Sequence, residues 1–221
     1  MVDVPASSAP SALAHQFDDL KQQREADELG MWLFLSTEIM FFGGMFLAYT
    51  IYRTQDEAAF AAASHQLDLL LGTVNTAVLL CSSLSMALAV FAAETSQRRK
   101  LVVLLAVTMV LGCVFLGIKG TEYFHKYEHG LMPVMGLPFE WHGPSPGHAE
   151  MFFDLYFLMT GVHALHMLIG LGVLLILLIK SSRGDMLGDF STPVHLTGLY
   201  WHFVDIVWVF LFPLLYLIGA R

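Results

Sequence analysis

The stretch LYWHFVDIVWVFLF, Leu199–Phe212, is apolar enough to lie in a membrane, yet it carries His202 and Asp205 between Trp201 and Trp208. An imidazole and a carboxylate one helical turn apart in hydrocarbon are costly, so either they satisfy each other or they move something. The apolar window around them runs over 194–219, and a bilayer crossing takes roughly 20 such residues. Four similar windows precede it, at 29–52, 67–93, 101–123 and 151–180. Each must be helical, because an open strand edge leaves backbone polar groups unpaired in lipid. The expected fold is therefore all-α and polytopic: a five-helix transmembrane domain over 29–219 behind a polar, acidic tail at 1–28.

The composition agrees. Of the 221 residues, 56% are apolar or aromatic and 14% charged, with 17 Phe and 12 Met, a mix far from that of soluble domains. The net charge of −8 comes largely from the tail and the extramembrane ends, which excludes a nucleic-acid surface. Cys81 and Cys113 both lie in apolar runs without CxxC or Cys/His spacing, implying neither a disulfide framework nor a thiolate metal site. The N-terminus lacks the basic start, short apolar core and cleavage site of a signal peptide, so the first span is expected to stay in the mature protein.

Orientation follows from Lys and Arg. Lys21, Arg24, Arg98, Arg99, Lys100, Lys180 and Arg183 fall on the side of the N-terminus; Arg53, Lys119, Lys126 and Arg221 fall on the other. That asymmetry, carried mainly by Arg98, Arg99 and Lys100, places the N-terminus in the cytoplasm and the C-terminus outside. The connections are short except 124–150, whose Pro and Gly forbid a long helix and whose His and aromatic residues suit an interface with a partner.

A few polar groups sit inside the windows. Glu38 lies about nine residues into the first span, roughly 13 Å deep at 1.5 Å per residue. It is either a proton-linked or lipid-facing carboxyl, or an acid hydrogen-bonded to a neighbouring helix. The nearby Gly43 and Gly44 suit close helix packing. His163 and His166 share one face of the fourth span. Two imidazoles so placed could ligate a metal or a haem, but a catalytic metal usually takes three protein ligands, and interhelical hydrogen bonding is the simpler account. In the fifth span, His202 and Asp205 are expected to pair as a lock that fixes the helix's rotation, with Trp201 and Trp208 setting its depth; a proton relay is the competing reading. Lys119 and Glu122, three apart at the outer end of the third span, are expected to form an interfacial ion pair.

Ligand constellations for haem or copper are missing, as are a phosphate loop and a nucleophile motif. The residues point to a polytopic partner subunit with no catalytic residues and no metal of its own.

Taken together, ELGMWLFLSTEIMFFGGMFLAY (28–49), LGTVNTAVLLCSSLSMALA (71–89), TGVHALHMLIGLGVLL (160–175) and YWHFVDIVWVFLFPLLYL (200–217) resemble subunit III of the haem-copper terminal oxidases, the cytochrome c oxidase subunit 3 family. The likeness covers about residues 28–219, in the short form with five helices rather than seven. It puts Glu38 on the family's buried membrane glutamate, Glu122 on the acid of its EY segment, His163 and His166 on its HxxH pair, and His202 with Asp205 on its terminal helix motif. It implies a non-catalytic accessory subunit of a respiratory enzyme that reduces O2 to water and pumps protons. Such a subunit packs mainly on subunit I, with subunit II and other membrane subunits nearby, stabilises subunit I and supports proton uptake. Haem and copper are expected in those partners, and the location in the bacterial inner membrane. The family's structural phospholipid sits in a cleft bounded by the helix pair this chain lacks. An accessory protein of a nitric oxide reductase is the alternative. A free-standing proton-coupled transporter using Glu38 and Asp205 is a third reading, opposed by unbroken helices and the lack of an internal repeat.

Overall fold

A computed structural model describes residues 16–133, 139–184, 187 and 191–218. Most of the N-terminal tail, part of the 124–150 connection and the end of the fifth apolar window lie outside the described residues. Among the described residues six helices follow in order: α1 (Leu20–Gln55), α2 (Glu57–Ser64), α3 (Leu69–Glu94), α4 (Arg98–Glu128), α5 (Pro146–Arg183) and α6 (Thr192–Tyr216). Five of them are long and apolar enough to cross a membrane; α2 is a short extra helix in the connection after the first. No strand occurs among the described residues.

Local chemistry sets the starts. Asp19, Asp56 and Asp68 are N-caps whose carboxylates accept from the backbone N–H three residues on, in Gln22, Ala59 and Leu71, at 2.7, 3.0 and 3.0 Å. The Asp19 cap is why α1 begins well before the apolar window, with a polar first stretch. At 36 and 38 residues, α1 and α5 are roughly 55 Å long, so their polar ends project beyond a hydrocarbon layer of about 30 Å. Proline opens both α5 and α6, where the missing N–H costs nothing, and Gly184 ends α5 at φ 96°.

The helix that raised the question, α6, lies at the centre, packed on α3, α5 and α1, while α4 bridges α3 and α5. Its most apolar 18 residues are 56% buried against 17% for α1, which stands at the periphery. Trp201 makes this packing specific. Its indole fills a slot whose walls are Gly112 on α4 and Gly170 on α5, where a Cβ would come within 3.0 and 2.9 Å of the ring. Near its end, α6 contains Pro213. Two of the last carbonyls there are satisfied from outside the helix, Leu214 by the Tyr49 hydroxyl at 2.9 Å and Leu215 by the Ser64 hydroxyl at 2.6 Å. The short α2 and the far end of α1 are thereby fixed to α6. Gly43 and Gly44, by contrast, meet nothing within the chain, so the close helix packing expected of them is not made here.

Candidate functional site

The polar groups inside the bundle fall into three places. The first joins α1 to α5. Glu38 Oε2 lies 3.1 Å from His166 Nε2, and the same imidazole donates through Nδ1 to the Val162 carbonyl at 2.9 Å. Because a carbonyl can only accept, Nδ1 carries a proton, and a neutral His166 then has a bare Nε2. The Glu38 contact therefore needs one further proton, carried either by the acid or by the ring. Phe42 packs edge-on against this imidazole at 5.3 Å, and Tyr200 of α6 donates to the His166 carbonyl at 3.0 Å. The side chains of Glu38 and His166 are 19% and 12% exposed, so the pair sits at the margin of the chain rather than in its core.

The second place joins α4, α5 and α6. Lys119 Nζ donates to Glu122 Oε2 at 3.0 Å, to the Tyr156 hydroxyl at 3.1 Å and to the Tyr216 hydroxyl at 2.7 Å. Tyr156 and Tyr216 in turn donate to Glu122 Oε1 at 2.8 and 2.6 Å. All three ammonium protons are used and both carboxylate oxygens are engaged, a closed network of four side chains from three helices. The Lys119 ammonium also lies 4.9 Å from the Trp208 ring centroid. Both charged residues are 4% exposed, so the expected interfacial pair is a buried one. The expected pair forms, and its burial comes from the facing helices, where Tyr156 of α5 and Tyr216 and Trp208 of α6 close over it.

The third place is the α3–α6 contact. His202 Nδ1 bonds the Ser83 hydroxyl of α3 at 2.7 Å. Asp205 is buried, and neither of its carboxyl oxygens has a hydrogen-bond partner among the described residues. The expected mutual lock between His202 and Asp205 is thus not the arrangement found. Residues three apart on a helix share a side but need not touch, and here Ser83 takes the imidazole. Trp201 and Trp208 are both fully buried. Their indole N–H groups donate to Ser82 at 3.1 Å and Thr76 at 3.0 Å, both on α3. The rotation of α6 is fixed by these three bonds to small hydroxyls. Sequence reading passed over Ser82, Ser83, Thr76, Tyr156 and Tyr216; the signal available was that all are polar and lie within apolar windows.

His163 is separate from His166. It is 1% exposed, wedged between Phe115 and Trp208 at ring distances of 5.4 and 5.2 Å, and neither ring nitrogen has a partner among the described residues. The interhelical hydrogen bond expected for it is made only by His166. The two imidazoles also do not fit a haem or metal, since one is enclosed by aromatic rings and the other is committed to Glu38 and Val162. No cluster of three or more His, Cys, Asp or Glu that could hold a metal ion occurs among the described residues.

Five apolar helices tied together by polar bonds between α1 and α5, among α4, α5 and α6, and between α3 and α6 define an integral membrane subunit. The chain belongs to the cytochrome c oxidase subunit III family, whose model matches residues 18–129 and 145–220. It is similar to the probable quinol oxidase subunit 3 of Staphylococcus haemolyticus, 27% identical over 91% of this chain and 94% of that one. It is likewise similar to that of Staphylococcus epidermidis, 29% identical over 93% and 96%. It is an accessory subunit of a respiratory terminal oxidase.

Proposed function

We propose that this chain carries no redox centre of its own, takes no catalytic part, and serves an O2-reducing, proton-translocating oxidase by packing on subunit I, with subunit II and further membrane subunits as neighbours. The proposed location is the bacterial inner membrane, N-terminus in the cytoplasm, in keeping with the Lys and Arg asymmetry. The names of the relatives favour an oxidase over a nitric oxide reductase, and quinol over cytochrome c as the donor used by the partner subunits. The observation that carries the functional reading is the Glu38–His166 contact. A pair that must hold one proton, placed on the outermost helix of the bundle, suits a subunit that supports proton uptake by its neighbour.

The test tags this chain, purifies what accompanies it in mild detergent and records a reduced-minus-oxidised spectrum. Haem bands are expected in the complex and none from the chain alone; a stoichiometric Soret band from the isolated chain overturns the accessory reading. In the complex, Glu38→Gln can still donate to His166 Nε2 and should leave assembly intact while slowing proton uptake. Unchanged uptake reduces Glu38 to a packing group.

A further inference from the structure

We propose that the hairpin end of α3 and α4 is a binding site for one anionic diacyl phospholipid, with its phosphate between Arg99 and Lys100 and an acyl chain on either side of α4. Two grooves flank the first turns of α4. One, of about 540 Å³, lies between α3 and α4, with Leu88, Phe91, Ala92 and Leu104 among its walls and Arg99 and Lys100 at its mouth. The other, of about 470 Å³, lies on the α5 side, between Val102 and Ser182, with Arg98 at its rim. Arg99 and Val103 belong to both, so they form the ridge that separates them. Each volume is within the range of small-molecule sites, roughly 300–1,000 Å³.

Charge decides the occupant. Arg98 is already used, its guanidinium donating to the Ser182 carbonyl and tying α4 to α5. Arg99 and Lys100 are exposed and have no hydrogen-bond or ion-pair partner among the described residues. The nearest carboxylate in sequence, Glu94, faces His195 at 3.7 Å. Two unmatched cations above apolar grooves at the end of membrane-crossing helices match an anionic headgroup with its tails below, the arrangement by which basic pockets between helices capture acidic lipids. A neutral lipid would leave both cations unmatched, and an apolar protein helix would cover the grooves without meeting them. The site uses α3, α4 and the end of α5, and so differs from the phospholipid cleft implied by the resemblance.

The experiment places a photoreactive benzophenone residue at Val103 in the full chain within its oxidase complex. The complex is reconstituted in nanodiscs of phosphatidylglycerol, of phosphatidylcholine, or of an equal mixture, and the adducts are identified by mass spectrometry after illumination. Phosphatidylglycerol adducts should dominate in the mixture, and the preference should fall roughly thirtyfold in Arg99→Gln/Lys100→Gln, at the scale of two lost basic contacts. Equal labelling of the two lipids, a preference unaltered by the double variant, or adducts mainly to a neighbouring protein each overturn the proposal. Should the double variant not assemble, salt takes its place: in the unsubstituted complex the preference for phosphatidylglycerol should fade at high ionic strength, and a preference that salt leaves intact overturns the proposal.

Discussion

Removing Lys119 alone should destabilise this chain at least as much as removing Lys119 and Glu122 together. In the native bundle the ammonium makes three hydrogen bonds, at 3.0, 3.1 and 2.7 Å, and both residues are 4% exposed. Lys119→Met leaves the Glu122 carboxylate buried with two tyrosine donors and without its bonded counter-charge, Lys126 acting on it only through space, and Glu122→Leu leaves an ammonium facing two hydroxyls. Breaking a buried pair from one side costs about 3–5 kcal/mol, because the remaining charge stays desolvated. At about 2–4 °C per kcal/mol for a chain of this size, each single variant should lower the midpoint of thermal unfolding by roughly 6–20 °C. In Lys119→Met/Glu122→Leu no charge is stranded, the cavity is filled by apolar groups of similar size, and the two tyrosines lose hydrogen bonds worth about 1 kcal/mol each. The double variant should therefore be at least as stable as either single one. The assay is unfolding in a mild detergent, with tryptophan emission reporting Trp208 beside the network and subunit retention in the complex as a second readout. Losses that add across the two single variants would show that Lys119 and Glu122 do not act as a unit.

The other expectations are briefer. Gly170→Ala and Gly112→Ala should each destabilise by about 1–3 kcal/mol, since a methyl group meets the rigid Trp201 ring at 2.9–3.0 Å; an unchanged unfolding midpoint would mean that the slot yields. Asp205→Leu should leave the stability of the isolated chain unchanged or raise it, because an unpartnered buried carboxyl is removed, whereas Ser83→Ala should lower it by releasing His202; the reverse order in a denaturant titration restores the pairing of His202 with Asp205. At the α1–α2 corner, the nearby Ser145 hydroxyl, the Ala59 N–H that donates to Asp56 at 3.0 Å and His148 at 3.4 Å hold the Asp56 carboxyl below the usual carboxylate range. A depressed acid stabilises the fold above its unfolded value near 3.9 and loses that contribution as the pH falls through its lower folded value. The hydrogen-exchange protection factors at the start of α2, taken against the intrinsic rate at each pH, should therefore hold at pH 5 and fall below about pH 4; a fall already at pH 6 would point to a different group.

The apolar windows by themselves determined the class of this protein. About 20 apolar residues in a row can do little but cross a membrane as a helix, so five long helices, and through the wording of four of them the family, were legible without coordinates. What hydropathy reads is local, and the helix ends were set by capping groups outside the windows: Asp19 lengthens α1, and Asp56 starts an α2 that was not expected. The polar groups were visible, but not their partners. Glu38 and His166 both stood out as polar residues in apolar windows, and only the packing of α1 on α5 brings them to 3.1 Å across 128 residues of chain. For Lys119 and Glu122 sequence proximity was enough, since a spacing of three lets side chains on a helix meet; burial and two distant tyrosines then turned a pair into a network. For His202 and Asp205 the same spacing misled. Helical neighbours compete with whatever the facing helix presents, and α3 presents Ser83. Spacing along one helix fixes which groups share a face; the tertiary structure decides which of them bond, because that depends on what stands opposite.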